Sequence, residues 1–264
     1  VSRVQREYWD SVVEQWLESR QQDLWRHHSD HVNSALMRRW MPKERQGRVL
    51  KTDLFDEAVT PGLYPVLSAA AVQLVGMDVS AGIAEEAARR HPALEVHTAD
   101  VRSLPFEDES FDVVVSISTL DHFDDKADIP RALAEIARVL RPGGRLLLTL
   151  DNLAQPVVWL RSILPDGPLL KLGLIPYRVG KTCTPGKLQK FVREAGLEVQ
   201  EATAILHCPR VLAVACAGLL ERHASPKIQA RYLSLLSAFE RLEHWPSRYL
   251  SGHFVAINAQ KPVA

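Results

Sequence analysis

An open α/β sheet, doubly wound and carrying a helical cap, is the fold this sequence predicts. Three observations carry the prediction. From Gly47 onward, short apolar runs alternate with stretches of helical period. One run, "VQLVGMD" (72–78), is apolar almost throughout, as a strand covered on both faces must be. Four successive runs end in an acid, where an open α/β sheet places its ligands. A length of 264 residues suits one such domain with added helices.

The elements follow in order. Val4, Tyr8, Val12 and Trp16 recur at helical spacing, and "HVNSALMRRW" supplies a second helix from about Asp30 to Trp40, ended by Pro42. "RVLKT" (48–52) is the first strand and "VQLVGMD" the second. "SAGIAEEAARRH" (80–91) is a helix with Ser80 as N-cap. "LEVHTAD" (94–100) and "FDVVVSIST" (111–119) are strands, "KADIPRALAEIARVL" (126–140) an amphipathic helix, and "RPGG" stops it before the strand "RLLLTLDN" (145–152). "TPGKLQKFVREAGLEVQEATAI" (184–205) reads as helix, Gly196 stop and strand, and "GHFVAINAQK" (252–261) as a last strand. About residues 209–245 form a helical insertion longer than an ordinary connection.

Lys and Arg balance Asp and Glu at 32 each, so no basic excess points to nucleic acid or an anionic membrane. Cys183, Cys208 and Cys216 show neither a disulfide framework nor zinc spacing, which fits a reducing cytoplasm. "VLAVACAGLL" (211–220) is too short to span a bilayer.

The strand ends carry the chemistry. Asp78 can hold a vicinal diol, since a carboxylate accepts two hydroxyl hydrogen bonds; it can equally be a turn residue before Ser80. Asp100 can meet an adenine amino group, with Val101 offering its backbone N–H, or serve its own turn. Asp121 and His122 follow the fourth strand, and Asp151 with Asn152 ends the fifth. The first strand is different. "KTDLFDEAVTPG" has no glycine before Gly62, so backbone cannot approach a ligand closely there.

"GMDVS", "TADVRSLPFEDESFDVVVSISTLDHF" and "RVLRPGGRLLLTL" resemble the class I S-adenosylmethionine-dependent methyltransferases, well over residues 47–152 and weakly in the final two strands. The resemblance implies a seven-stranded Rossmann-like sheet whose last strand is antiparallel. It implies S-adenosylmethionine as cofactor, its ribose on Asp78 and Val79, its adenine on Asp100 and Val101, and Ser118 on the methionine side. The family has an acid at Lys51 and glycines at or near Asp53 and Phe55. "KTDLFDEA" then reads as a side-chain version of that half-site, with Thr52 between Lys51, which pairs the cofactor carboxylate, and Asp53, which takes its ammonium.

If the acceptor is a hydroxyl, a group must take its proton. His122 has the pKa range for that near neutrality and sits just past the fourth strand; Asp121 is the alternative, and His207 and Tyr177 are further ones. A structural histidine is the competing reading. "HHSDH" (27–31) invites a metal, but Ser29 and Asp30 read better as a cap between two helices, and no metal is expected. Tyr177 and Lys181 have a dehydrogenase-like spacing, which Pro176 and Gly180 argue against. Trp9, Trp16, Trp25 and Trp40 either staple the cap or line an acceptor pocket.

The expected organisation is one domain: an N-terminal cap (1–45), a cofactor-binding core (46–152), acceptor-binding insertions (153–180 and 206–248) and the last core elements (181–205 and 249–264). The expected activity is O-methylation of a small polar acceptor, with a saccharide, glycan precursor or oligosaccharide as the candidate class, in the cytoplasm, without nucleic acid or membrane. The alternatives are an N- or C-methyltransferase of a secondary metabolite and a non-catalytic binding protein of the same fold.

Overall fold

The computed structural model describes residues 8–9, 11–12, 23–171, 175 and 180–263. The strands are β1 (Gln46–Lys51), β2 (Ala71–Asp78), β3 (Glu95–Thr98), β4 (Phe111–Ile117), β5 (Leu140–Asp151), β6 (Glu198–Ile205) and β7 (Phe254–Gln260). They form one sheet in the order β3-β2-β1-β4-β5-β7-β6. The pairs from β3 to β5 are parallel, and β7 runs antiparallel to both β5 and β6. The order reverses between β1 and β4, which is where an open sheet leaves a crevice for a ligand.

Alternation along the strands builds two cores. Val49, Val113, Val115 and Leu147 face one side. There they meet α1 (Asp23–Trp40), α2 (Phe55–Val59), α3 (Tyr64–Ala70), α4 (Ala81–Arg90) and, further along, α9 (Arg210–His223) and α10 (Pro226–Ala238). Leu50, Val114, Leu146 and Leu148 face the other side, against α5 (Asp128–Val139) and α8 (Pro185–Glu194). Of the smaller helices, α6 (Pro156–Ile163) and α7 (Asp166–Lys171) follow β5, and α11 (Arg248–Ser251) precedes β7.

Every predicted strand from "RVLKT" to "GHFVAINAQK" is present, with one correction: "RPGG" is not a break between helix and strand but part of β5, which pairs with β4 from Leu140 and shifts register across it. Ser80 caps α4 as expected, its Oγ accepting from Ile83 N at 3.1 Å. A second reading needs correction: "HHSDH" is not a boundary between helices but the interior of α1. Neither Gly nor Pro interrupts residues 23–40, so nothing breaks the helix. Asp30 finds its partner off the helix, accepting from Thr60 Oγ1 at 3.2 Å, while Ser29 Oγ accepts from Asn33 Nδ2 within it at 3.5 Å. Helices α2 and α3, between β1 and β2, were not foreseen; each is short and shows too few turns for a periodic signal. Among the described residues, no helix is long and apolar enough to cross a membrane. No cluster of three or more metal-type ligands occurs among them either.

Candidate active site

One cleft opens over the carboxyl ends of β1, β2 and β4 and continues along α1. Its first half holds Thr52, Asp53, Asp78, Val79, Asp100, Val101 and Ser118, all expected at the site. The walls between them are apolar, from Met77, Ile83, Ile117 and Phe123.

Asp78 is buried, and each of its oxygens already accepts one backbone N–H: Leu54 at 3.0 Å and Ser80 at 2.9 Å. The carboxylate therefore ties the loop after β1 to the turn after β2. Each oxygen keeps a lone pair for a further donor. Burial pushes the carboxyl up to about 7, against the pull of the two N–H groups.

That value sets a pH dependence. The folded value lies above the unfolded one of about 3.9, so the apo protein takes up a proton here on folding. The group favours the fold fully at pH below about 4 and loses that contribution as pH rises through about 7. Binding of a diol runs the other way, because hydroxyls donate to the ionised form. Affinity for S-adenosylhomocysteine should weaken by about tenfold per pH unit below 7, and Asp78→Asn should flatten that slope while weakening binding at pH 8. Calorimetric titration across pH 5–8 checks it; an unchanged wild-type affinity over that range would remove Asp78 from the site.

Asp100 is gripped by Arg102, whose Nε and Nη2 reach its two oxygens at 3.0 and 2.8 Å and whose Nη1 pairs with Asp128. Burial alone would raise Asp100, but the guanidinium outweighs it and holds the carboxyl down at about 2. Asp100 is thus a fixed anion on the cleft wall. Arg102, two residues on and also lining the cleft, was not singled out from the sequence. Ser118 takes a left-handed backbone (φ 50°), with its N–H bonded to Thr149 O at 3.1 Å.

The glycine-free turn is built on a buried ion pair, and this corrects the reading of Lys51. Its ammonium lies 2.8 Å from Glu57 Oε2 and 3.1 Å from Asp53 Oδ1, and donates to Asp53 O at 2.7 Å. Lys51 is buried and does not line the cleft, so it does not stand ready for a ligand carboxylate. Burial would lower its pKa, yet the Asp53, Glu57 and Asp56 carboxylates hold it well above the usual lysine range. Glu57, overlooked in the sequence, also accepts Leu63 N at 2.8 Å. Gly62, the first glycine after β1, serves this pair: its backbone is left-handed (φ 51°), and a Cβ there would come within 2.6 Å of Glu57 Oε1. Asp53 remains on the cleft, its Oδ2 accepting from Thr119 Oγ1 at 3.1 Å.

His122 lines the cleft from the short 3-10 turn Leu120–His122, with the Trp9 ring 4.9 Å away at its edge and Phe55 beyond Trp9. Asp121 does not line it. It is buried, and its Oδ2 accepts from Ser118 Oγ and Asp151 N, both at 2.9 Å. Burial, then the Asp151 charge, raises its pKa. It binds β4 to β5 and is corrected from alternative base to structural acid. Asp151 is likewise internal, paired with Arg161 and beside His253. His207 bonds Ser251 Oγ and Ala204 O and is structural too. Tyr177 and Trp16 lie outside the described residues. Gly180 packs so closely under the His122 turn that a Cβ would sit 2.5 Å from Asp121 O.

The residues present fit S-adenosylmethionine: two acids on successive strand ends with apolar walls between them, and Asp78 with unused lone pairs. Residues 55–148 match the family model described as a methyltransferase domain. The chain is 31% identical over 182 residues to an uncharacterized 37.1 kDa protein in transposon TN4556 of Streptomyces fradiae, covering 65% of this chain and 50% of that one. It is 35% identical over 144 residues to the O-methyltransferase cnsE of Penicillium expansum, covering 50% and 46%. The chain thus spans about half the length of these curated relatives. The geranyl diphosphate C-methyltransferase of Streptomyces coelicolor A3(2), solved with S-adenosyl-L-homocysteine, shares the fold at a TM-score of 0.59 and 10% identity, covering 89% of this chain and 80% of that one. Residues 55–148 thus carry a methyltransferase domain, the fold around it is the one these methyltransferase structures share, and S-adenosylmethionine is the cofactor the site fits.

Proposed function

We propose that the protein methylates a hydroxyl oxygen of a small polar acceptor, of which a saccharide unit is the favoured class. The observation that carries this reading is one continuous cleft. Asp78, a ribose-type acid, and His122, a side chain able to take a proton, both line it. S-adenosylmethionine supplies an already activated methyl group on a sulfonium. The chain's own residues have three tasks: hold the two reactants in line, exclude water, and receive the hydroxyl proton.

In this reading Asp78 and Val79 hold the ribose, and Asp100 with Val101 the adenine. Thr52, Asp53 and Ser118 face the methionine end. His122 Nε2 or Nδ1 takes the proton, while Trp9 against its ring limits the positions it can adopt. Of the described residues, 23–45, 153–171 and 206–248 form the acceptor-side cap around the core, and the enzyme works in the cytoplasm. The cnsE relative, whose name specifies O-methylation, supports oxygen as the methylated atom.

The test is a turnover assay with methyl-labelled S-adenosylmethionine against sugars, phenols, amines and isoprenoid phosphates, with the product's methyl located by mass spectrometry and NMR. A methyl on oxygen supports the reading. A methyl on nitrogen or carbon would replace it with the corresponding transferase, and cofactor binding without any turnover would favour a binding protein of this fold.

A further inference from the structure

Beyond the cofactor half, the cleft runs along one face of α1. Arg26, Ser29, Asp30 and Asn33 line it there. Their spacing is i, i+3, i+4, i+7, the repeat with which a helix presents one face. On a helix packed into the body, that repeat is ordinarily apolar, and the neighbouring positions Val32, Leu36 and Met37 are buried and apolar. Here the inward stripe is polar.

Asn33 makes the stripe informative. Its side chain is 5% exposed, and its Oδ1 has no hydrogen-bond partner. Its Nδ2 has only Ser29 Oγ, at 3.5 Å. Whichever way the amide is turned, one end is unsatisfied. A buried amide without partners costs about 1–3 kcal/mol, and a leucine of similar volume would avoid that cost. An amide left open on a cleft wall is what a ligand hydrogen bond would satisfy.

We propose that the cleft face of α1, formed by Ser29, Asp30 and Asn33, is the acceptor subsite, and that it takes a cyclic polyol such as a monosaccharide unit. The proposal rests on the methyltransferase reading of the same cleft. The chemistry of the wall selects the class. Asp30, Asn33 Oδ1 and Ser29 Oγ all accept hydrogen bonds; nearby, Arg26 pairs with Asp56 at 2.7 Å and Arg210 donates one hydrogen bond to His253 Nε2 at 2.6 Å. A ligand that both donates and accepts, as hydroxyls do, suits this wall. Phe254 adds a flat apolar wall, which suits the C–H face of a sugar ring, while Trp25 lies buried beneath the Arg210 guanidinium. Burial, with Asp56 and Glu57 nearby, raises Asp30 to about 7. Near neutrality it can donate as well as accept, which matches a hydroxyl better than an ammonium.

The test uses the full chain loaded with S-adenosylhomocysteine and saturation-transfer NMR. The probes are methyl glycosides, hexose 1-phosphates and myo-inositol, with ethanolamine and glycine as amine probes. At least one polyol should bind wild type. Asn33→Leu and Asp30→Asn should each weaken it tenfold or more, with S-adenosylhomocysteine affinity within twofold and, for Asn33→Leu, an unchanged or higher Tm. Equal polyol affinity in both variants would overturn the subsite. So would a fall in Tm of several degrees for Asn33→Leu, which would make the amide structural. Binding of amines alone, or of no probe, would overturn the class. If wild type fails to take up S-adenosylhomocysteine, the underlying methyltransferase reading has failed, and this inference with it.

Discussion

Lys51→Met should destabilise the protein by about 3–5 kcal/mol, the cost of leaving one partner of a buried ion pair alone. The ammonium it removes is the counter-ion of Glu57, which is 1% exposed, and a neighbour of Asp53. At this chain length that corresponds to a fall in Tm of roughly 10 °C. The double variant Lys51→Met/Glu57→Gln should recover at least half of the loss. Glutamine is neutral, and its Oε1 can still accept from Leu63 N. Urea unfolding of the two variants checks this. A Lys51→Met protein within 1 kcal/mol of wild type, yet deficient in binding S-adenosylhomocysteine, would sink the structural account and return Lys51 to the cofactor's carboxylate.

His122→Ala should lower kcat by about 10²–10⁴, the usual worth of a positioned general base, while S-adenosylhomocysteine affinity stays within about threefold. The split follows from placement. His122 packs against the Trp9 ring, on a turn that ends with its own residue and lies outside the strand ends bearing Asp78 and Asp100. His122→Gln, which preserves bulk beside the Trp9 ring, separates lost proton transfer from lost packing: both variants should be slow. Asp121→Asn should instead act on stability, since its carboxylate bonds Ser118 Oγ and Asp151 N inside the body. If His122→Ala keeps kcat within a factor of three, the proposed base role of His122 fails.

The strand-end acids show how far a sequence can be read. Asp78, Asp100, Asp121 and Asp151 look equivalent in the chain, each closing an apolar run. Two of them line the cleft and two are internal. Asp151 is claimed by Arg161 and neighboured by His253, ten and about a hundred residues away. No local pattern announces such partners. Lys51 was misread for a related reason: the charge six residues on, Glu57, folds back over it because α2 and the Gly62 turn bring it there. Arg102 was closer to hand, since a basic residue two positions after an acid can fork back onto it, as its contacts with Asp100 show.

The sequence by itself determined the doubly wound sheet, the cap at Ser80 and, through its resemblance to a known family, the reversed last strand. These rest on periodicity, strand-end chemistry and motif spacing, which are local along the chain. Only the tertiary structure decided which charged groups face the cleft and which neutralise one another inside. It also decided that α1 is one helix whose polar stripe is turned inward. Both depend on contacts between segments far apart in sequence, and a buried charge is settled by the partner that folding brings to it rather than by its neighbours in the chain.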